Sequence, residues 1–209
     1  MNKSVSVSLR KISGMNDIRI DHKFIIEMIE PNSHVLDLGC GDGTLLDLLM
    51  KQKYCRATGI EIDEKEIYKC VERGVTVSHG DVDSGLEDYS DKRFDYVILN
   101  ESLQEILNPD RVIAEALRVG KRVIVGIPNF CNISARLQIF FWGQVPVTKG
   151  LPYKWYNTPN LRFLSIKDFR HFCADRQITV ERERAIGINR EVFFKRNLFA
   201  FVGIFLIKR

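Results

Sequence analysis

A run of apolar residues leads directly into three glycines at alternate positions. The run is Val35-Leu36-Asp37-Leu38, and it is followed by Gly39, Gly41 and Gly43 before a helical pattern begins. Glycine accepts backbone angles that other residues resist, and it keeps no side chain between a ligand and the first amides of the next helix. The turn therefore predicts a site for a nucleotide-like cofactor. The alternative is a tight strand-to-helix turn without a ligand.

The spacing of the glycines narrows the kind of cofactor. A dinucleotide fingerprint requires G-x-G-x-x-G. Gly39 and Gly41 fit it, but the third place is Thr44 and the extra glycine comes one residue early, at Gly43. The phosphate-binding loop of nucleotide hydrolases requires G-x-x-x-x-G-K-[ST], and no Lys stands in this turn. Both phosphate-binding interpretations are therefore weakened.

The pattern (V/L)-L-D-L-G-C-G-x-G resembles motif I of class I S-adenosylmethionine-dependent methyltransferases. The resemblance implies that the turn passes beneath S-adenosylmethionine, a cofactor without phosphate. The cofactor-binding residues that it implies in this turn are Asp37, Gly39, Cys40, Gly41 and Gly43. A buried acid without partners is costly, so Asp37 in an apolar strand predicts nearby backbone amides or a bound cation. An ordinary satisfied core acid is the competing interpretation.

Length and charge suit one globular domain. The chain has 209 residues, of which 45% are hydrophobic and 28% charged, and we expect a single methyltransferase-like domain over 1–209. The net charge is only +4, and basic residues alternate with acids, as in Glu181-Arg182-Glu183-Arg184. This pattern indicates a solvated surface and no nucleic-acid partner.

The cysteines and the chain ends predict a soluble, cytoplasmic protein. There is no C-x-x-C pair and no histidine at ligand spacing, which favours free thiols in a reducing compartment and no metal site. The cysteines are Cys40, Cys55, Cys70, Cys131 and Cys173. Met1 to Ile12 lacks the apolar core of a signal peptide, and Phe199 to Ile207 is too short to span a bilayer.

Strand and helix patterns alternate along the chain, which predicts a doubly wound α/β sheet. The resemblance implies the Rossmann-like class I methyltransferase fold, a mostly parallel seven-stranded sheet with an antiparallel final strand and helices on both faces. The expected strands are 35–38, 57–61, 75–78, 94–99, 122–127, 178–181 and 198–207. The expected helices end at Pro31, follow Gly43, begin at Asp63, open at Asn108-Pro109, and run from Ser165 to about Arg176.

Polar residues follow the strands at the sheet edge where ligands bind in such folds. Glu61 ends the second strand and can accept both hydroxyl hydrogens of a ribose, with Ile62 beside it. Its alternative role, an acid that leads the next helix, is already filled by Asp63. Asp81 can accept a proton from an adenine amino group while the Val82 amide donates to the ring. A plain turn explains Asp81 almost as well.

Two residues end the fourth strand where a methionine moiety and an acceptor would meet. They are Asn100, assigned to the cofactor, and Glu101. Either can instead cap the next helix. Glu101 and His79 are the weak candidates for a catalytic base, and the catalytic residues are otherwise unknown.

A segment rich in aromatics and prolines interrupts the fold around 128–163. It includes Pro128-Asn129-Phe130 and the run Pro146 to Asn160, and it predicts an ordered loop. In methyltransferases a substrate lid occupies this place. Because Trp, Tyr and Arg are the usual anchors of protein interfaces, a docking surface is an equal alternative.

The chain resembles the methionine biosynthesis protein MetW family, from Arg19-Ile20-Asp21 to Asn197-Leu198-Phe199. The discriminating part is Pro-Val-Thr-Lys-x-Leu-Pro-Tyr-x-Trp-Tyr-x-Thr-Pro-Asn, beginning at Pro146. The chain departs from the family pattern near Asn100-Glu101 and Glu105 to Asn108, beside the expected acceptor site. The resemblance implies a protein that supports homoserine O-acyltransferase in making methionine by associating with it.

Two hypotheses follow. In the first, the chain is an accessory or regulatory subunit that senses S-adenosylmethionine. In the second, it is a methyltransferase for a small molecule. Acyl transfer by the chain itself is disfavoured, because Ser102 and Ser134 lack a G-x-S-x-G elbow and His79 and His171 have no evident triad partner. Base-amine methylation is disfavoured too, since no (D/N)-P-P-(Y/F/W) motif ends the fourth strand.

Overall fold

Helices and strands alternate through most of the chain in a computed structural model that describes residues 18–209. The strands over this range are β1 His34–Leu38, β2 Arg56–Glu61, β3 Thr76–His79, β4 Phe94–Asn100, β5 Gly120–Pro128, β6 Thr179–Ile186 and β7 Val202–Lys208. The helices are α1 Ile20–Met28, α2 Thr44–Lys53, α3 Glu64–Glu72, α4 Pro109–Val119, α5 Ile133–Trp142, α6 Ile166–Asp175 and α7 Arg196–Phe199.

The strands form one sheet in the order β3-β2-β1-β4-β5-β7-β6. The first five of these pair in parallel, whereas β7 runs antiparallel to both β5 and β6. In this register Asp37 of β1 lies between Gly59 of β2 and Ile98 of β4. The predicted mostly parallel seven-stranded sheet with an antiparallel final strand is confirmed, and the carboxyl ends of β1, β2 and β4 lie side by side.

Both faces of the sheet are buried. Successive strand residues point to opposite faces, so Val35 and Ile98 contribute to one apolar cluster and Leu36 and Val97 to the other. Helices α1 and α2 pack on the first face, and α4 and α6 pack on the second. The predicted covering of both faces by helices is confirmed.

Local sequence signals set several helix ends. Asp63 caps α3 by accepting the Lys65 amide at 2.8 Å. Pro109 occupies the first turn of α4, where its missing N–H costs nothing. At α6, Ser165 and Asp168 form a reciprocal capping box. These starts lie where the sequence predicts them.

Two local predictions were wrong. The segment expected to be loop contains α5, whose first turn is capped by Asn132 accepting the Ala135 amide at 3.1 Å. The prolines nearest to α5, Pro128 and Pro146, lie outside the helix and so do not break it. The final strand does not begin at Leu198, because α7 occupies that position and β7 starts only at Val202.

The run Pro146 to Asn160 forms no helix, and its ladder contacts are limited to a bridge between Thr148 and Leu151. Across residues 18–209, no helix has the length and apolar character needed to cross a membrane. The prediction for Met1 to Ile12 concerns residues outside the described part of the chain.

Candidate functional site

The three glycines of the turn all have positive φ, but they are needed for different reasons. The φ angles are +77° at Gly39, +54° at Gly41 and +72° at Gly43. A Cβ at Gly43 would lie 2.9 Å from the sulfur of Cys70, so this glycine lets α3 pack against the turn. A Cβ at Gly41 would meet nothing within 4 Å. The space next to the Cα atom of Gly41 is therefore empty, and we call it the open side of the turn.

Most amides of the turn, those of Gly39, Cys40, Gly41, Gly43 and Thr44, are bonded within the protein. Gly39 and Cys40 both donate to the carbonyl of Ile60, at 2.8 and 3.2 Å. The remaining donations are from Gly41 to Glu61, from Gly43 to the Cys40 carbonyl, and from Thr44 to the Asp42 side chain. A phosphate cradle needs such amides free to point at the anion. This geometry argues against a phosphate-bearing ligand at the turn.

Glu61 is the side chain that ties the turn to β2. One of its oxygens accepts the Gly41 amide at 2.8 Å, and the other accepts the amides of Ile62 and Asp63 at 2.8 and 2.9 Å. The residue is buried, so these amides satisfy the carboxylate where water does not. Each carboxylate oxygen can accept more than one hydrogen bond, and the first oxygen retains capacity for a ligand hydroxyl.

Asp37 lies beneath the turn with an unsatisfied oxygen. Its Oδ1 is buried and has no hydrogen-bond partner among the described residues. Burial, reinforced by the nearby charge of Glu61, raises the pKa of Asp37 to about 7. A buried acid in this condition favours a proton or a cation beside it. The predicted amide partners of Asp37 are therefore not what the described residues supply.

Two cysteines pack under the same turn. The sulfurs of Cys40 and Cys70 lie 3.9 Å apart, and Cys70 also lies 3.1 Å from the Gly41 carbonyl. Burial raises the pKa of both thiols. Both are free thiols, so the turn and α3 are held together by packing and not by a disulfide.

A charged network connects the beginning of α1 to the end of β4. Nη2 of Arg19 donates at 2.6 Å to both Asp21 and Glu101. Nδ2 of Asn100 donates to the same Asp21 at 2.9 Å. Asn100 and Glu101 therefore bind α1, and neither caps the following 3-10 turn, whose preceding residue is Ser102.

The charges in this network are shifted by burial and by one another. Burial raises the pKa of Glu101, Arg19 lowers it, and the balance with Asp21 leaves it at about 7. Burial opposes ionisation of Asp21, but Arg19, His22 and Asn100 lower its pKa below the usual value. Glu101 also has a φ of +56°, which is costly for a residue with a side chain and often marks a functional position.

The neighbouring His22 is buried and neutral. Burial lowers its pKa to about 4, although Asp21 works in the opposite direction. Its Nδ1 has no hydrogen-bond partner among the described residues. We call the carboxyl ends of β1, β2 and β4, with the acids around them, the acidic edge. A neutral imidazole at His22 adds no positive charge to it.

The other predicted residues lie along the same edge with greater exposure. Asp81 is exposed and accepts the Asp83 amide at 2.9 Å, which is the plain-turn role. Val82 is half-buried and begins the 3-10 turn Val82–Ser84. Nε2 of His79 lies 3.2 Å from the Ile62 carbonyl, at the exposed end of β3. The described contacts bring none of these three side chains to Glu101.

The segment from 146 to 163 approaches this edge. A small cavity of about 40 Å³ is lined by Glu101, by Lys149 and Gly150, and by residues of the β6–β7 connection. Farther along, the amides of Leu161 and Arg162 donate to the Gln104 carbonyl at 2.9 and 3.2 Å. The segment is therefore fastened beside Glu101.

Two more groups face the acidic edge. Burial and then Glu61 raise the pKa of Glu105. Burial, followed by Glu105 and Glu101, raises the pKa of Tyr153. The edge thus carries more carboxyl groups than cationic groups: the acids are Asp21, Asp37, Glu61, Glu101 and Glu105, and the cations described beside them are Arg19 and Lys149. Such an excess favours a ligand with positive charge.

Buried polar atoms without partners concentrate around this edge. Within residues 18–209 they include His22 Nδ1, Asp37 Oδ1, Asn100 Oδ1, Ser102 Oγ, Gln104 Oε1 and Asn160 Oδ1. Native proteins leave few buried polar groups unsatisfied, and each one requires an explanation. A polar ligand seated at the edge would supply the missing partners.

Sequence reasoning missed several residues of this edge. Arg19, Asp21, Gln104 and Tyr153 belong only to the family pattern, and His22 had no role. One signal was available, since a helix whose other residues are mostly apolar contains the adjacent polar pair Asp21-His22 on its buried side. Asp21 contacts Asn100 of β4, which is 79 residues away in the sequence, so no spacing pattern predicts that contact.

Solved structures with a similar backbone agree on the fold. A methyltransferase from Thermotoga maritima, named as S-adenosylmethionine-dependent, is 19% identical, with 91% of this chain and 88% of that chain covered and a TM-score of 0.63. A second such methyltransferase, from Archaeoglobus fulgidus, is 15% identical, with 91% and 92% covered and a TM-score of 0.64. The [4+2]-cyclase SpnF is 18% identical, with 91% and 80% covered and a TM-score of 0.66. A shared fold does not specify the reaction.

Sequence relatives identify the family. A bifunctional methionine biosynthesis protein MetXA/MetW from Rhodopirellula baltica is 34% identical over 175 residues, which are 79% of this chain but 28% of that protein. A ribosomal protein L11 methyltransferase from Burkholderia mallei is 29% identical over 106 residues, 50% of this chain and 35% of its own. The chain thus spans about a third of the length of these relatives.

The family model described as methionine biosynthesis protein MetW matches residues 19–207. This match begins at Arg19 of the charged network and ends within β7, so it includes the glycine turn, the acidic edge and the whole insertion. The chain therefore belongs to the methionine biosynthesis protein MetW family.

Proposed function

We propose that the chain binds S-adenosylmethionine at the acidic edge and supports homoserine O-acyltransferase in methionine biosynthesis by associating with it. The proposal treats 1–209 as one methyltransferase-like domain whose insertion around 128–163 serves as a lid or docking surface. It also assigns the protein to the cytoplasm, in keeping with five free cysteines.

The choice of S-adenosylmethionine as the ligand rests on one observation. The edge combines an excess of carboxyl groups with a turn most of whose amides are already bonded. S-adenosylmethionine has a sulfonium and an ammonium against one carboxylate, and no phosphate, so its net positive charge matches this edge. A dinucleotide would bring phosphates to bonded amides and to carboxylates, which is unfavourable.

The proposed contacts follow the strand ends. Glu61 would accept the ribose hydroxyls with the capacity that its amide partners leave free. Asp81 and the Val82 amide would face the adenine, and Asn100 would face the methionine part, beside Asp37 and its unpartnered oxygen. The open side of the turn above Gly41 would receive the centre of the ligand.

The partnership rests on the named relative. In Rhodopirellula baltica a MetW-like region forms part of a longer protein named MetXA/MetW, and the matched region is 28% of it. Two regions that are joined in one chain are held close to each other. We therefore propose the same association between separate chains here, with S-adenosylmethionine acting as the end-product signal.

Calorimetry tests the ligand. The described chain should bind S-adenosylmethionine, and Glu61→Gln should weaken that binding by about tenfold through the loss of one charged hydrogen bond. Glu66→Gln is the matched control, because Glu66 lies on α3, the helix that follows Glu61, and its carboxylate pairs with Lys69. Binding of a nicotinamide dinucleotide, with no binding of S-adenosylmethionine, would overturn the proposal.

Co-purification tests the partnership. The purified homoserine O-acyltransferase of the same organism should associate with the chain, and S-adenosylmethionine should change either the association or the acyltransferase rate. Unchanged association and unchanged rate would reject the regulatory form of the proposal. A ligand can shift an assembly only if it binds one state better than the other.

A second candidate function is methyl transfer to a small molecule. The observation that favours it is Glu101, a buried acid with positive φ and a pKa raised to about 7 beside the edge. A base of that pKa is suited to work near neutral pH. Transfer of labelled methyl from S-adenosylmethionine to a component of a cell extract, lost in Glu101→Gln, would support it.

A further inference from the structure

Helix α5 exposes almost all of its apolar residues. Of its ten residues, only Ala135 is buried. Phe140, Phe141 and Trp142 are 80%, 65% and 66% exposed. We call the exposed set the α5 face, and it consists of Leu137, Ile139, Phe140, Phe141 and Trp142. Helices in proteins are stabilised mainly by burying an apolar stripe, so an exposed set of this kind marks an interaction surface.

The sequence around the α5 face lacks acids. Between Glu115 and Asp168 there is no Asp or Glu. The insertion around 128–163 carries the basic residues Arg136, Lys149, Lys154 and Arg162. The insertion that bears the α5 face thus has four cationic and no anionic side chains, and a positive segment with exposed aromatics complements an apolar patch bordered by carboxylates.

We infer that the α5 face is the surface on which the homoserine O-acyltransferase docks, through an apolar patch of that enzyme bordered by acidic side chains. This inference rests on the partnership proposed above. It divides the insertion into two parts: the α5 face binds the partner, and the segment that follows it covers the acidic edge. Trp and Phe anchors of this kind dominate the affinity of protein interfaces.

The composition of α5 favours a protein partner over a lipid surface. Helices that lie on membranes have one apolar face and one face rich in Lys and Arg. In α5 the only basic residue is Arg136, and its guanidinium donates to the Cys131 carbonyl at 2.7 Å. The helix therefore lacks the charged face with which a membrane helix holds anionic lipid.

The α5 face is connected to the acidic edge by a short path. The side-chain amide of Gln138 both donates to the Val147 carbonyl and accepts the Val147 amide, each at 3.0 Å. Two residues later, Lys149 lines the cavity beside Glu101. A partner that fixes α5 thus fixes the segment that covers the ligand edge, which gives ligand and partner a physical means of coupling.

The test measures binding of the purified acyltransferase to the chain by biolayer interferometry. The variant Phe140→Ser, Phe141→Ser, Trp142→Ser should weaken binding by about thirtyfold or more, the usual loss when hot-spot aromatics are removed. The control is Tyr68→Ser with Val71→Ser on α3, which are 68% and 62% exposed and lie on the helix that precedes the edge strand β3, whereas α5 follows the inner strand β5. That control should bind within twofold of the parent chain.

Two readouts separate the possible failures. The triple variant should keep the parent thermal midpoint and its calorimetric affinity for S-adenosylmethionine, which shows that the ligand site is intact; Phe141→Ala alone serves if the triple variant does not fold. Full binding of the acyltransferase by a folded α5 variant overturns the assignment of the face while leaving the partnership standing. Failure of the parent chain to bind overturns the partnership and the inference together. Self-association of the parent chain, lost in the triple variant without loss of acyltransferase binding, also overturns the inference.

Discussion

The guanidinium of Arg19 lies 2.6 Å from a carboxylate oxygen of Glu101, which is 82 residues further along the chain. The same nitrogen atom also binds Asp21 at 2.6 Å. One cation therefore joins the entrance of α1 to the end of β4. Because Asp21 is buried and the side chain of Glu101 is only 9% exposed, the guanidinium is essential to the charge balance of the edge.

Replacing this cation should destabilise the protein strongly. Arg19→Met leaves Asp21 and Glu101 buried without their main partner, and loss of one member of a buried pair costs several kcal/mol. We expect the free energy of unfolding to fall by about 2–4 kcal/mol, measured by urea denaturation at pH 8, where Glu101 is ionised.

Glu101→Gln in the same background supplies the control. Removing the orphaned charge should restore part of the stability that Arg19→Met loses, which is the coupling that a double-mutant cycle measures. Additive effects of the two substitutions would mean that the ion pair contributes nothing, contrary to the geometry.

Asp37 should make stability fall as pH rises. The folded chain holds the Asp37 proton to about pH 7, whereas the ordinary value is 3.8, so the folded state binds more protons between these values. The free energy of unfolding therefore decreases from about pH 4 to pH 7 and levels off above. Asp37→Asn should remove this component, and at pH 8 the ligand-free variant should exceed the parent by roughly 2–4 kcal/mol.

The comparison needs denaturation curves for both proteins at pH 5 and pH 8. The difference between them should be small at pH 5 and large at pH 8. Equal differences at the two pH values would show that Asp37 is ionised throughout and has a partner in the folded chain.

Alanine at two glycines of the turn should lower stability and ligand affinity in opposite order. At Gly41 it faces open space and costs only the strain of a positive φ, about 1 kcal/mol. At Gly43 the added methyl also collides with Cys70, and we expect a loss of about 2–4 kcal/mol. Ligand affinity should respond in the reverse order, since the open side lies above Gly41.

Thermal unfolding and calorimetry with S-adenosylmethionine together test this order. If Gly41→Ala binds the ligand as the parent does, the ligand does not approach that side of the turn. If Gly43→Ala keeps full stability, the packing of α3 against the turn is looser than the distances indicate.

Glu61→Ala should weaken the protein as well as the ligand site. Its removal leaves the amides of Gly41, Ile62 and Asp63 without their acceptor, and an unsatisfied buried donor costs about 1–3 kcal/mol. Glu61→Gln keeps one acceptor oxygen and should lose less stability. Urea denaturation of both variants checks this, and equal losses would assign the stabilisation to charge alone.

Patterns with a fixed period or a fixed cap predicted much of the fold. The apolar run Phe94 to Leu99, the Asn108-Pro109 start of α4 and the Ser165 to Asp168 box all have local physical causes, and each lies where expected. Local signals also misled, because the aromatic and proline content around 128–163 predicts a loop where α5 forms. The apolar residues of α5 do not follow the one-sided spacing from which a surface helix is predicted.

The candidate site was predictable only where it is local. The glycine turn and Glu61 follow directly from strand ends, and the topology alone brings them together. The contact of Arg19 with Glu101 depends on how α1 packs across the sheet, which no spacing in the sequence encodes. The assignments of individual residues to S-adenosylmethionine stay predictions.

The packing of Cys40 against Cys70 makes the opening of the glycine turn measurable by thiol labelling. Both sulfurs are buried, and burial keeps both thiols protonated and slow to react. A thiol reagent reaches them only when the turn lifts from α3. The rate at which Cys40 and Cys70 are labelled therefore reports how often the glycine turn opens under native conditions, without any substitution.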